Sequence, residues 1–303
     1  SIEQIRQAQI QAQQILLKAR SQRPRPGLDD KILVDWNGLM ISALSFGAQV
    51  LQEPRYAQAA ERAAQFILKQ LVRKDGRLLH RYRDGDSGIL GQIEDYAFFI
   101  HGLIDLYQAT FEVTYLREAK RLTREMLRLF WDPAQGGLFL TGSDAEVLLV
   151  RQKELYDGAI PSGNSVAALD LLRLGRLTAT TEFEEKGSEL FSVFSGRVEE
   201  SPSAFSQLLV ALDFGLGPSN EIVIAGEASD AEVAQMLRIL YATFMPNKVV
   251  LLHPESADQI EALAPFLKGQ VALSGKATAY VCQNYACNLP TTDLEKLKEL
   301  ITQ

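Results

Sequence analysis

Apolar residues recur at helical spacing along the first two thirds of the chain, in two alternating patterns. Segments 36–51, 92–109, 164–175 and 203–213 are apolar nearly all round. Segments 54–73, 115–131 and 182–195 carry one apolar stripe opposite a charged face, as where Leu116, Ala119, Leu122, Met126 and Phe130 oppose Arg117, Lys120, Arg121 and Arg124. A helix without a polar face is buried, and one with a stripe is half-buried. The alternation therefore predicts helical hairpins in two layers, one ring inside another. Asn37, Asp95 and Asn164 mark the starts of successive buried helices about 60–70 residues apart, longer than most solenoid repeats and suited to an α/α toroid. In the third buried helix only Asp170 and Arg173 interrupt the apolar surface, at a spacing that lets them pair.

The pattern changes near residue 217. GPSNEIVIAG, a helix over 229–243 and NKVVLLH read as strand, crossover helix and strand. A helix near 256–268, a strand near 278–283 and a helix over 291–302 follow, the last with a Thr292/Glu295 capping box. Strand-like pieces, GRLLHRYRDG at 76–85 and GGLFLTGSD at 136–144, separate the hairpins. The expected fold is mainly α: (α/α)6-toroid-like hairpins over 1–216, an incomplete ring because four buried helices are visible, and a small α/β appendage over 217–303.

Composition narrows the function classes. A hydrophobic content of 47% fills a large core, and no run of about 18 apolar residues suggests a membrane span. The net charge of −7, with RSQRPRPG at 20–27 as the basic cluster, argues against nucleic acid. Two cysteines at C-x4-C spacing suit structural thiols in a reducing, cytoplasmic setting, with a reversible disulfide as the alternative. No secretory leader is visible, and the chain opens mid-helix without a methionine, as a segment of a longer one would. The three histidines show no metal-ligand spacing and no dinucleotide or phosphate-loop fingerprint is present, so no metal or cofactor is expected.

Polar clusters sit where the buried helices begin: Asp35, Trp36 and Asn37; Gln92, Glu94, Asp95 and Tyr96; Tyr156, Asp157, Ser162, Asn164 and Ser165; and a weaker group of serines at 201, 203 and 206. If these starts share a rim, free backbone N–H groups and positive dipole ends converge there. Aromatic rings beside carboxylates and amides make a surface that suits sugars. On that reading Asp95 is general acid or base, with Asp157 or Asp35 as its partner and His80 as a proton carrier. Trp36 and Tyr96 stack on the sugar; Asn37, Ser162 and Asn164 orient hydroxyls; Glu94 and Tyr156 complete the binding surface. The competing reading makes Asp35, Asn37, Ser162 and Asn164 helix caps, and gives His80 and His101 structural hydrogen bonds.

RPRPGLDDKILVDWNGLMISAL, GQIEDYAFFIHGLIDLYQAT, VRQKELYDGAIPSGNSVAALDLLRL and AYVCQNYACNLP resemble the spermatogenesis-associated protein 20-like, thioredoxin-domain-containing family. The resemblance runs from about Arg23 to Pro290. It implies a helical region similar to six-hairpin glycosidases and N-acylglucosamine 2-epimerases. The family's thioredoxin-like domain and first hairpins are absent from this chain. Hydrolase-like use of aspartates fits the positions of Asp95 and Asp157 better than epimerase-like use of histidines. Two functions remain open: a carbohydrate-binding or carbohydrate-processing domain with a small sugar ligand, or a silent scaffold presenting partners to a redox domain. An incomplete ring also exposes apolar helix faces, which favours self-association.

Overall fold

A computed structural model describes residues 1–283 and 286–302. The chain divides into two compact units, Ser1–Lys31 and Ile32–Gln303. The first is a single helix, α1 (Ile2–Ser21), opened by a Ser1/Gln4 capping box. In the second unit a short strand, β1 (Ile32–Leu33), leads into the hairpin α2 (Val34–Leu51) and α3 (Pro54–Gln70). Strands β2 (Leu79–Arg83) and β3 (Asp86–Leu90) then extend β1 into an antiparallel sheet of order β1-β2-β3. Two more hairpins follow, α4 (Ile93–Thr110) with α5 (Val113–Phe130) and α6 (Gly163–Thr178) with α7 (Thr181–Glu200), and then α8 (Ser206–Leu216).

Each of α3, α5 and α7 packs on the helix before it, while α2, α4, α6 and α8 pack side by side in that order. The all-apolar helices thus form the inner layer and the striped helices the outer one. The stripe of α5 shows why: Leu116, Ala119, Leu122 and Met126 are fully buried, and Arg117, Arg124 and Arg128 are in water. In the inner layer, however, only α4 and α6 are buried nearly all round. Against the expectation that a helix without a polar face is buried, α2 leaves Met40, Phe46 and Leu51 exposed and α8 leaves Val210 and Leu216 exposed. The tightest crossing is between α2 and α4. A Cβ on Gly38 would lie 2.4 Å from the carbonyl carbon of Phe98, and one on Gly102 would lie 2.6 Å from the carbonyl oxygen of Gly38. Only glycine at these two positions lets the backbones come so close.

Helix gives way to strand between Leu216 and β4 (Asn220–Ala225). The remaining elements are α9 (Ala231–Ala242), β5 (Lys248–His253), α10 (Asp258–Leu263), β6 (Thr278–Gln283), β7 (Ala286–Cys287) and α11 (Leu294–Ile301). β4 and β5 are parallel and joined by α9, the predicted crossover, and β6 is antiparallel to β4, giving the order β5-β4-β6-β7. One face of this sheet carries Ile222, Ile224, Val250 and Leu252 against α9 and α11. The other carries Val223, Ala225, Val249 and Leu251 into the helical core. Gln108, near the end of α4, accepts the Val250 N–H at 2.8 Å, so the sheet sits over the C-terminal ends of the inner helices.

Several expectations need correcting. The cap of α11 is Asp293, whose carboxylate accepts the Glu295 and Lys296 N–H groups, in place of Thr292. GGLFLTGSD forms only an isolated bridge between Trp131 and Leu138, because Gly136 and Gly137 both take positive φ and turn the chain. Cys282 and Cys287 face each other across the β6–β7 pair and form a disulfide, so they are not free thiols; positions 284 and 285 of that motif lie outside the described residues. Asp170 and Arg173 do not pair with each other. Each reaches α4 instead: Asp170 bonds His101 at 2.7 Å and Arg173 bonds Asp105 at 2.5 Å.

Candidate functional site

Three carboxylates sit where the N-termini of the four inner helices form one rim. Asp95, in the first turn of α4, accepts the Asp35 N–H at the start of α2 (3.2 Å) and the Gln92 N–H that precedes its own helix (2.8 Å). Glu94 lies beside Gly163 at the start of α6, close enough for the Gly163 N–H to favour its charged form, and a Cβ on Gly163 would sit 3.3 Å from the Glu94 backbone nitrogen. Asp157 accepts the Ser162 N–H before α6 (2.8 Å) and the Gln207 and Leu208 N–H groups of α8 (2.8 and 3.2 Å). Helix starts leave orphan donors and a partial positive charge, and a carboxylate satisfies both. Gly163 makes the close approach possible: a Cβ there would sit 2.8 Å from Ile93.

His80 joins this rim from β2. Its Nδ1 lies 2.9 Å from Oδ1 and 3.1 Å from Oδ2 of Asp95. The registers of β2 with β1 and β3 hold it beside α4. With Nδ1–H donating to a carboxylate, the neutral ring carries its lone pair on Nε2, which makes it a base. Asp35, His80 and Asp95 could each offer one ligand atom to a cation, the three atoms lying within 4.8 Å of one another. Both oxygens of Asp95 are already committed to N–H donors, so a hydrogen-bonded Asp–His dyad describes the group better than a metal centre.

The electrostatics single out Glu94. Burial raises its pKa from 4.5 to about 7, its own N–H and that of Gly163 oppose the rise, and the carboxylates of Asp95 and Asp35 add to it. Asp35 is raised as well, by burial first and then by Asp95, against the Trp36 N–H that it accepts at 2.8 Å. The rim therefore combines a carboxyl group that exchanges its proton near neutrality with a carboxylate-oriented imidazole.

The other predicted site residues divide by exposure. Trp36 and Tyr156 are about three-fifths exposed and remain available as platforms. Asn37 spends its amide on the Leu33 carbonyl at 2.7 Å. Tyr96 is fully buried; its hydroxyl accepts from Arg77 and from the Leu78 N–H, so it cannot be a stacking surface. Ser162 is the buried cap of α6, and buried Asn164 clasps Leu138 through both its backbone groups and the Glu154 carbonyl, which leaves neither to orient a hydroxyl. Arg77, outside the predicted site, is buried and donates to Tyr96, Gly91 and Asp144. Nothing in its local pattern distinguishes it from the other arginines near it.

A second polar cluster lies about two turns deeper on the same face of α4. His101 joins Asp170, and Asp105 joins Arg173 and accepts from Ser42 at 2.5 Å, tying α2, α4 and α6 together. Burial alone would lower the His101 pKa, but Asp170 and Asp105 outweigh it and the pKa is raised. His101 thus has the structural role that its place in an apolar helix suggests.

The chain is homologous to spermatogenesis-associated protein 20. It is 36% identical to the human protein over 94% of its own length, and 35% identical to the mouse protein over 95%. It spans 38% of the length of each of these relatives. No protein-family model matches the chain. Among solved structures, cellobiose 2-epimerase from Bacillus thermoamylovorans superimposes with a TM-score of 0.50 at 12% identity, covering 87% of this chain and 68% of that one. At that identity the likeness shows a shared α/α toroid fold and no more. Among the described residues no helix is long and apolar enough to cross a membrane.

Proposed function

We propose that the rim at the N-termini of the inner helices is a carbohydrate-processing site, with Glu94 as general acid and base and the Asp95-oriented His80 as its proton-transfer partner. The observation that carries this reading is the raised proton affinity of Glu94 on the rim that also holds His80. Half-buried Glu94, with a pKa of about 7, and His80, oriented by a carboxylate, each neighbour Asp95, and a carboxyl raised toward neutrality is suited to serve as general acid and base. The exposed rings of Trp36 and Tyr156 supply apolar platforms for the C–H face of a pyranose. The cellobiose 2-epimerase of the same fold acts on a sugar, which is consistent with this ligand class. Asp95 and Asp157, each holding backbone N–H groups of two helices, act as positioning residues.

The reading is tested by thermal-shift titration with neutral mono- and disaccharides, on the parent and on Glu94→Gln and Trp36→Ala variants. A ligand at 100 times its dissociation constant raises stability by about 2.7 kcal/mol. A shift in the parent that is lost in Trp36→Ala, with substrate turnover lost in Glu94→Gln, supports the site. Binding or turnover that neither substitution affects overturns it.

A further inference from the structure

The outer face of α5 carries a feature that the rim does not explain. Arg117, Lys120, Arg121, Arg124 and Arg128 recur at helical spacing and line a groove of about 670 Å³ between α5, the Lys74–Gly76 turn and Leu263 of α10. This overturns the expectation that RSQRPRPG is the chain's one basic cluster: the cations are scattered in sequence and collected only by the helix. Their pairing is uneven. Three carboxylates, Asp75, Glu118 and Glu125, also line the groove, and each is already paired: Glu118 with Arg121, Glu125 with Arg128, and Asp75 with Arg73 outside the groove. Arg117 donates to neutral Gln259. Lys74, Lys120 and Arg124 have no hydrogen-bond or ion-pair partner among the described residues.

This arrangement is costly without an occupant. Like charges four apart on a helix destabilise it, and Lys120 and Arg124 are such a pair. Lys120 is also half-buried; burial and then Arg124 lower its pKa. An anion would relieve both effects. The groove's volume is that of a small-molecule site. A protein partner would want buried apolar anchors, and Leu263 is the one apolar side chain lining the groove. Successive turns of α5 present cations about 5.4 Å apart, a spacing that suits several linked anionic groups better than one.

We propose that this groove binds a small polyanion carrying two or more phosphate groups, held chiefly by Lys74, Arg117, Lys120 and Arg124. The site is separate from the rim, and its occupancy does not depend on the sugar reading.

The test is calorimetric titration of inorganic tripolyphosphate into the chain at fixed ionic strength, with orthophosphate and polyglutamate as comparisons. Tripolyphosphate is expected to bind more tightly than either. Binding should weaken as salt rises and fall about tenfold or more in a Lys120→Gln/Arg124→Gln variant, while Lys298→Gln, which removes an exposed cation on α11, leaves it unchanged. Both substituted side chains reach solvent and the substitutions remove a like-charge pair, so the double variant should unfold cooperatively at or slightly above the parent's temperature, showing that the fold is intact. Equal binding by parent and double variant, no binding of tripolyphosphate at millimolar concentration, orthophosphate binding as tightly, or a preference for polyglutamate would each overturn the proposal.

Discussion

Asp95 holds His80 through both carboxylate oxygens while one of those oxygens also holds the backbone of Asp35, 60 positions earlier in the chain. One fully buried side chain therefore fixes the start of α2, the start of α4 and the orientation of a candidate base. Its work for the fold and its work for the site cannot be separated by position, but they can be separated by measurement.

Asp95→Asn replaces an oxygen with an NH2 group, so at least one of the three N–H donors around it loses its acceptor. Leaving a buried donor unpaired costs about 1–3 kcal/mol. The urea midpoint of Asp95→Asn should fall accordingly, whereas His80→Gln, at a partly exposed position, should move it much less and act on turnover instead. Equal stability losses in the two variants would show that His80 is a structural member of the rim.

The two-layer plan was legible in the sequence because it rests on periodicity. The all-apolar runs at 92–109 and 164–175 are α4 and α6, and no local feature contradicts them. Ser162 was legible as the cap of α6, because serine is a residue type that holds a free N–H; α2 begins after Leu33 with no side-chain cap, so Asp35 and Asn37 are not its caps. What the sequence hid was partnership across the fold. Asp170 and Arg173 are three apart, yet each finds its partner on α4, because the inner helices lie side by side there. Tyr96 follows Asp95 directly and points elsewhere, into a pocket closed by Arg77. Glu94 looks like its neighbour in sequence, and only the approach of α6 buries it enough to change its proton affinity.

The close crossing of α2 and α4 gives a sharp stability test. In Gly38→Ala the new methyl would lie 2.4–2.6 Å from backbone atoms of Phe98 and Phe99, which cannot rotate away. Helices must separate, and overpacking of this kind costs about 3 kcal/mol. Gly47→Ala, on the same helix but 3.5 Å from the Tyr56 ring, meets no such barrier and should gain up to about 1 kcal/mol from helix propensity. Thermal unfolding of the two variants should therefore shift in opposite directions; parallel shifts would mean that the crossing is looser than the structure has it.

Glu94 gives the rim a pH signature whose sign is fixed by linkage. Its pKa is about 7 in the folded chain against an ordinary 4.5. Between these values the folded state holds a proton that the unfolded state has released. Stability falls with rising pH wherever the folded state binds more protons. The fall should begin near pH 4.5 and be complete once the pH passes about 7, at a cost of about 3 kcal/mol. Glu94→Gln keeps a side-chain carbonyl beside the Gly163 N–H but has no proton to lose. Urea unfolding should find it equal to the parent at pH 4 and more stable at pH 8. If the two stability curves run parallel from pH 4 to pH 8, the proton affinity of Glu94 is not raised, and the general-acid role built on it fails.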